Sequence, residues 1–327
     1  LNRRHFLEGG VLAACGALSP LASLSSHAQT SSEPPSFAKI IDAHIHLFDP
    51  TRPEGIPWPL PGDLIYKPAL PAGYESLARP LGIVGAIAIE ASPLPRDNDW
   101  LLRTAESSRF IVGVIGDLVP TENNFVAELA RLRESPLFLG IRQGNLWNRN
   151  LTEDVRSPKF WVALRELAHA GLVFESANPD LPLLEALAIV VDRMPELTVV
   201  IDHLPHMRQP VAAEDQRRFA ALLTSLGKAP RCFAKLSEIP DQIGGRPVLD
   251  LAPYRARLTQ LWTAFGPERL IFGSDWPNSD HIAGLPKTVG QVKRYIMEKD
   301  ADTRAKLFFE TSKSAYKWRP RQVNQML

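Results

Sequence analysis

Four residues near the ends of apolar runs have the types and spacing to do chemistry together: His44 and His46 in IIDAHIH (40 to 46), His203 in LTVVIDHL (197 to 204) and Asp275 in LIFGSDW (270 to 276). Imidazoles with a carboxylate form a borderline-soft donor set that suits Zn²⁺ with one position left to water. An HxH pair alone specifies no metal; joined by a histidine and an aspartate from two other runs, it describes a site. Side chains alternate along a strand. Asp42, His44 and His46 are therefore expected on one face and Ile41, Ala43 and Ile45 on the other. The same rule groups Val199, Ile201 and His203; Phe233, Lys235 and Ser237; and Ile271, Gly273 and Asp275.

The elements that must position them follow from the pattern of apolar residues. Besides those three runs, VGAIAIEA (84 to 91), FIVGVIGDL (110 to 118), FLGIRQG (138 to 144), LVFESA (172 to 177) and CFAKLSE (232 to 238) read as short strands. Between the runs, segments such as KFWVALRELAHAG and EDQRRFAALLTSL repeat apolar residues at three and four, the helical period. Strand-helix alternation implies parallel strands joined by right-handed crossovers. Eight such units predict an α/β fold, a single (β/α)₈ barrel of the TIM type, ending in a helix at about 302 to 318. A doubly wound open sheet is the alternative, but no glycine-rich phosphate loop follows the first strand. His46, Glu90, Asp117, Arg142, Glu175, His203, Ser237 and Asp275 fall at or near the run ends, and a proline follows seven of them, stopping the ladder. Polar residues gathered at that end of a barrel mark an active site.

Composition excludes several classes. The chain has 327 residues, 45% hydrophobic and 22% charged, with a formal net charge of +1. Setting aside Arg3, Arg4 and Glu8 leaves 35 basic and 35 acidic residues, with no basic footprint for nucleic acid or anionic lipid. Cys15 and Cys232 are the only cysteines, so neither a disulfide framework nor a structural zinc finger is expected. Residues 1 to 28 read as a cleavable twin-arginine signal peptide: Arg3-Arg4 with Phe6-Leu7, an apolar stretch, and Ser26-His27-Ala28 at the cleavage site. Residues 29 to 37 read as a flexible linker and 38 to 327 as the barrel. The expectation is export, already folded, through the twin-arginine translocon to the periplasm. Leu12 to Gly16 also resembles a lipoprotein box, which would tether the protein to the membrane through Cys15.

From about residue 38 to 318 the chain resembles the amidohydrolase superfamily, in its amidohydrolase-related branch of lactonase-type barrel hydrolases. The resemblance rests on DAHIHLFDP (42 to 50), PWP (57 to 59), DNDWLL (97 to 102), GIR (140 to 142), IDHLP (201 to 205), KLSE (235 to 238) and FGSDWP (272 to 277). It implies that His44 and His46 are the metal-ligand pair, that Asp275 activates the attacking water, and that His203 helps polarise the scissile carbonyl. Strand 5 carries Glu175 where the wider superfamily has histidine, and strand 4 carries Arg142 where a bridging lysine or glutamate stands. One divalent metal, or none, is therefore expected rather than two.

The expected reaction is the opening of a small-molecule lactone, either a sugar lactone or a carboxylated, muconolactone-like cyclic ester. Asp275 is the expected general base. His44 and His46 hold Zn²⁺ or polarise the carbonyl directly, with His203 and Asp275 as further ligands or His203 as electrophile. Arg142 offers a planar fork for a substrate carboxylate. Lys235 does likewise or pairs with Glu175 or Glu90. Glu90, Glu175 and Ser237 are candidates to contact substrate, and Trp58, Trp147 and Trp276 to stack on a sugar-like ring. Two other readings stay open: a metal-dependent decarboxylase of an aromatic or enol acid on the same barrel, and a non-catalytic periplasmic binding barrel. Oligomeric state is not legible.

Overall fold

The structure, a computed structural model, describes residues 39–325. The signal peptide, Cys15 and the linker lie outside the described residues. Eight strands pair in parallel and in chain order: β1 (Ile40–His46), β2 (Ile83–Ile89), β3 (Ile111–Gly116), β4 (Phe138–Gly144), β5 (Val173–Ala177), β6 (Thr198–Ile201), β7 (Cys232–Leu236) and β8 (Leu270–Phe272). Backbone bonds from Asp275 N to the His44 carbonyl (2.8 Å) and from His46 N to the Trp276 carbonyl (2.7 Å) bring the two edges together, so the sheet curls into a (β/α)₈ barrel. Helices fill the connections, and several begin with proline, as in Pro71–Ala78, Pro95–Glu106 and Pro158–His169. Some of the chain's 29 prolines thus start helices, where a missing N–H costs nothing.

Two apolar layers follow. The larger packs the outward strand faces on the helices, with Phe174, Ile201 and Leu236 among its buried residues. The smaller fills the lumen with Ile41, Ile87, Val112, Val173, Val200, Phe233 and Ile271, and the chain's end closes the bottom with Tyr316 and Trp318. That terminal helix runs as Ala301–Ala305 and Thr311–Tyr316 with a wider, π-helical turn (Lys306–Glu310) between them.

Strict alternation fails in β1, and the site depends on the failure. Ile41 and Ala43 face the lumen while Ile45 faces the helices, yet His44 and His46 also point inward. Between Asp42 and Ile45, three steps along β1 match the two from Ala86 to Ala88 on β2, which is one extra residue. Asp42 consequently leaves the group assigned to it. It lies at the seam, accepting hydrogen bonds from Tyr74 Oη (2.6 Å) and Ser274 N (2.8 Å). Burial pushes its carboxyl up to about 6 against those bonds.

Candidate active site

At the carboxyl ends of the strands an open cleft of about 220 Å³ is lined by His46, Arg142, His203, Glu238 and Asp275, with Trp58 and Trp147 above them. β8 approaches β1 closely because position 273 is glycine: a Cβ there would stand 2.7 Å from His44 Cβ. The approach sets Asp275 Oδ1 at 3.1 Å from His46 Nε2 and 3.4 Å from His44 Nε2, with the two imidazole nitrogens 3.3 Å apart. Tetrahedral zinc with bonds of 2.0–2.1 Å would separate its ligand atoms by about 3.3 Å. Asp275 Oδ1 is buried without an aligned hydrogen bond, while Oδ2 accepts from Asn278 Nδ2 at 2.7 Å. His46 Nδ1 faces the Ile89 carbonyl at 3.2 Å, so its hydrogen sits there and Nε2 is free to bind. The triangle of donors therefore fits a divalent metal.

Three strands end in the same way. His203, Glu238 and Asp275 follow β6, β7 and β8 with φ of 52°, 53° and 60°, left-handed backbone that costs a non-glycine residue about 1–2 kcal/mol. Each turn swings the side chain into the cleft. For His203 this replaces the grouping expected from alternation: Val199 and Ile201 pack outward, and the residue in phase with lumenal Val200 is Asp202, which is absent from the expected set of site residues.

Burial pushes His203 down to about 4, so its ring is neutral at pH 7. Its Nδ1 lies 2.9 Å from Ser237 Oγ, making Ser237 a support for the histidine rather than a substrate contact. Burial and the nearby Lys235 hold His44 well below the usual imidazole range. Burial alone would raise the Asp275 carboxyl; the imidazoles of His203, His46 and His44 around it prevail and hold it well below the usual range. Glu238 moves the other way, pushed well up by burial and by the charge of Asp275. Two carboxyls in one cleft with opposed shifts are a mark of acid-base chemistry.

Several expected substrate contacts turn out to be internal partners. Lys235 and Glu175 are fully buried beneath the cleft, Nζ to Oε1 2.5 Å, and Lys235 Nζ also lies 3.0 Å from Asp202 Oδ1. Tyr316 Oη reaches up from the barrel floor to Glu175 Oε2 at 2.7 Å. Arg142 borders the cleft, but its Nε donates to Glu90 Oε1 (2.8 Å) and its Nη2 to the Glu90 carbonyl (3.0 Å), so its fork is not free for a carboxylate. The remaining Glu90 oxygen accepts from Trp147 Nε1 at 3.1 Å. Trp276 is buried against Tyr74, ring centroids 5.1 Å apart, and does not line the cleft. Trp58 does, edge-on to His46 at 5.5 Å.

Residues 41–318 match the family model described as amidohydrolase. The chain is 30% identical over 249 residues to an L-fucono-1,5-lactonase of Burkholderia ambifaria, covering 75% of this chain and 82% of that protein. It is 26% identical over 291 residues to an L-fucono-1,5-lactonase of Burkholderia multivorans, covering 84% of this chain and 95% of the other. Among solved structures it shares its fold with an amidohydrolase from Burkholderia multivorans with bound zinc, at a TM-score of 0.74 and 22% identity, over 86% of this chain and all of that one.

Proposed function

The chain belongs to the amidohydrolase family of hydrolases, and from that membership we propose that it opens a neutral, hydroxylated sugar lactone. The observation that carries the chemistry is Asp275 Oδ1, a buried carboxylate oxygen without an aligned hydrogen bond, facing the cleft beside two imidazoles. The lining supports the substrate class. Arg142, the one cation bordering the cleft among the described residues, is committed to Glu90, so nothing there pairs with the carboxylate of a muconolactone-like ester. Trp58 and Trp147 offer faces to a sugar ring.

Asp275, held ionised, takes a proton from water as the water oxygen bonds to the carbonyl carbon. His203, oriented by Ser237, is placed to donate to the oxyanion that develops. As the ring C–O bond breaks, the proton held by Asp275 passes to the departing ring oxygen, giving the hydroxy acid. A divalent metal, for which we propose zinc, would be held by His44 Nε2, His46 Nε2 and Asp275 Oδ1, and would supply Lewis acidity at the carbonyl.

Proton release on a panel of sugar lactones and carboxylated lactones tests the reading, with Asp275→Asn beside the wild type. The wild type is expected to acidify the sugar-lactone samples and the variant to lose about 10³-fold in kcat. Wild-type turnover in Asp275→Asn would remove the base. Silence toward every lactone, with carbon dioxide released from an aromatic acid, would move the reading to decarboxylation. Export to the periplasm is proposed from Arg3-Arg4 and the cleavage site at Ala28; a reporter fused after residue 32 that stays in the cytoplasm would refute it.

A further inference from the structure

We propose that Glu238 reads the substrate: its carboxyl hydrogen-bonds the hydroxyl on the carbon next to the scissile carbonyl, and so selects hydroxylated lactones over unsubstituted ones. The inference rests on the lactone-opening reading.

The first support is where the backbone puts this residue. His203-Leu204-Pro205, Glu238-Ile239-Pro240 and Asp275-Trp276-Pro277 are one pattern, a polar residue, an apolar one and a proline, at the ends of three consecutive strands. The polar member of each adopts positive φ, a conformation uncommon outside glycine. The apolar members Leu204, Ile239 and Trp276 all pack into the helix-side core. Two of the polar members stand at the reacting end of the cleft, and the third is held by the same device beside them. Atoms of His203, Glu238 and Asp275 lie within 4.8 Å of one another. A carbonyl carbon attacked by a water on Asp275 sits about 3 Å from that water, and its neighbouring hydroxyl falls within reach of Glu238.

The second support is what else borders the cleft. Arg142 gives Nε and Nη2 to Glu90 and turns Nη1 toward His44 Nε2 (3.4 Å), and Trp147 gives its indole N–H to Glu90. Asn278 Nδ2 is bonded to Asp275 and Asn178 Nδ2 to the Asn145 carbonyl. His46 and His203 belong to the reaction itself. Among the described residues lining the cleft, Glu238 is the acidic side chain besides Asp275, and it is 18% exposed, with Oε2 steadied 3.3 Å from the half-exposed His206 Nδ1.

The test compares kcat/KM for a six-membered aldonolactone with that for δ-valerolactone, which has no hydroxyls, in wild type, Glu238→Gln and Glu238→Ala. The expected result is a fall of about 10- to 100-fold in the ratio of the two, carried mainly by KM for the aldonolactone. A purely structural role would lower both rates together; a ratio within about threefold of wild type, by that route or by no change, overturns the proposal. Should either variant fold poorly, competitive inhibition by hydroxylated and unsubstituted six-membered lactams reports the same preference without turnover, most cleanly in Glu238→Gln. Inactivity of the wild type toward both lactones would instead be a failure of the lactonase reading.

Discussion

Lys235 Nζ lies 3.0 Å from His44 Nδ1, on the side of the ring away from Asp275. An ammonium only donates, so Nδ1 accepts from Lys235, which favours the ring hydrogen on Nε2, the nitrogen that faces Asp275 Oδ1; Arg142 Nη1, also a donor, stands 3.4 Å from that Nε2 and favours the other tautomer. A metal on Nε2 needs that other tautomer. The hydrogen must then move to Nδ1, where Asp202 Oδ1 stands 3.6 Å away with neither carboxylate oxygen in an aligned hydrogen bond. Lys235 therefore opposes the metal both by its charge and by the tautomer it favours.

Replacing it should show both effects. Lys235→Met is expected to bind cobalt(II) at least tenfold more tightly than wild type, read from the visible absorption of the bound ion. It is also expected to lose about 3 kcal/mol of stability in urea, because the buried Asp202 carboxylate is left without the lysine. Equal cobalt affinity in the two proteins would mean that Lys235 does not govern the tautomer of His44.

What the sequence made legible divides along physical lines. Helix period and strand period differ over long stretches, so the eight units and their order could be read directly. Facing was less secure. It rests on a count of residues, and the extra residue in β1 shifts that count, as does the left-handed turn at His203. Alternation points to Ser237 rather than Glu238; the shared spacing to proline in HLP, EIP and DWP is the signal that marks Glu238. Trp276 looked like a stacking platform, but the residue between the turned polar group and its proline packs toward the helices. The lysine, two carboxylates and Tyr316 under the cleft come from four distant segments. Apart from the Lys235–Glu175 pairing, weighed as one alternative, nothing local in the chain announces that network.

Acid should destabilise the fold through His203. Its folded value is about 4 against 6.5 for a free imidazole. As pH falls from 6.5 toward 4, the unfolded chain takes up a proton that the folded protein refuses, so stability is lost over that window and is fully present above it. The contribution is about 3 kcal/mol, and His44, lowered in the same direction, adds to it. Urea midpoints measured from pH 7 to pH 4.5 should fall accordingly, and His203→Asn should flatten the slope by about one proton. An unchanged slope in the variant would show that His203 is not the group refusing the proton.

The loop between β1 and the first helix, residues 47–70, carries Trp58 to the mouth of the cleft and is fastened across it. His281 Nε2 meets Asp63 Oδ1 at 2.6 Å, and its Nδ1 meets the Asn278 carbonyl at 2.9 Å. Both ring nitrogens face acceptors, so the fastened ring is the imidazolium. Burial opposes that charge, but the Asn278 carbonyl and Asp63 outweigh it and raise His281, with Asp280 also favouring the cation. Asp63 is lowered, first by the Ile65 N–H and then by His281, and Lys67 lies close enough to act on Asp280. The pair therefore holds at neutral pH and is lost as pH rises through the raised histidine value. Both groups are partly exposed, so the effect is modest. Asp63→Asn should raise KM about two- to fivefold at pH 7 with kcat nearly unchanged. Wild type should show the same rise between pH 7 and 9, and the variant should not. A KM for Asp63→Asn that tracks the wild type at every pH would mean the loop closes over the cleft without this fastening.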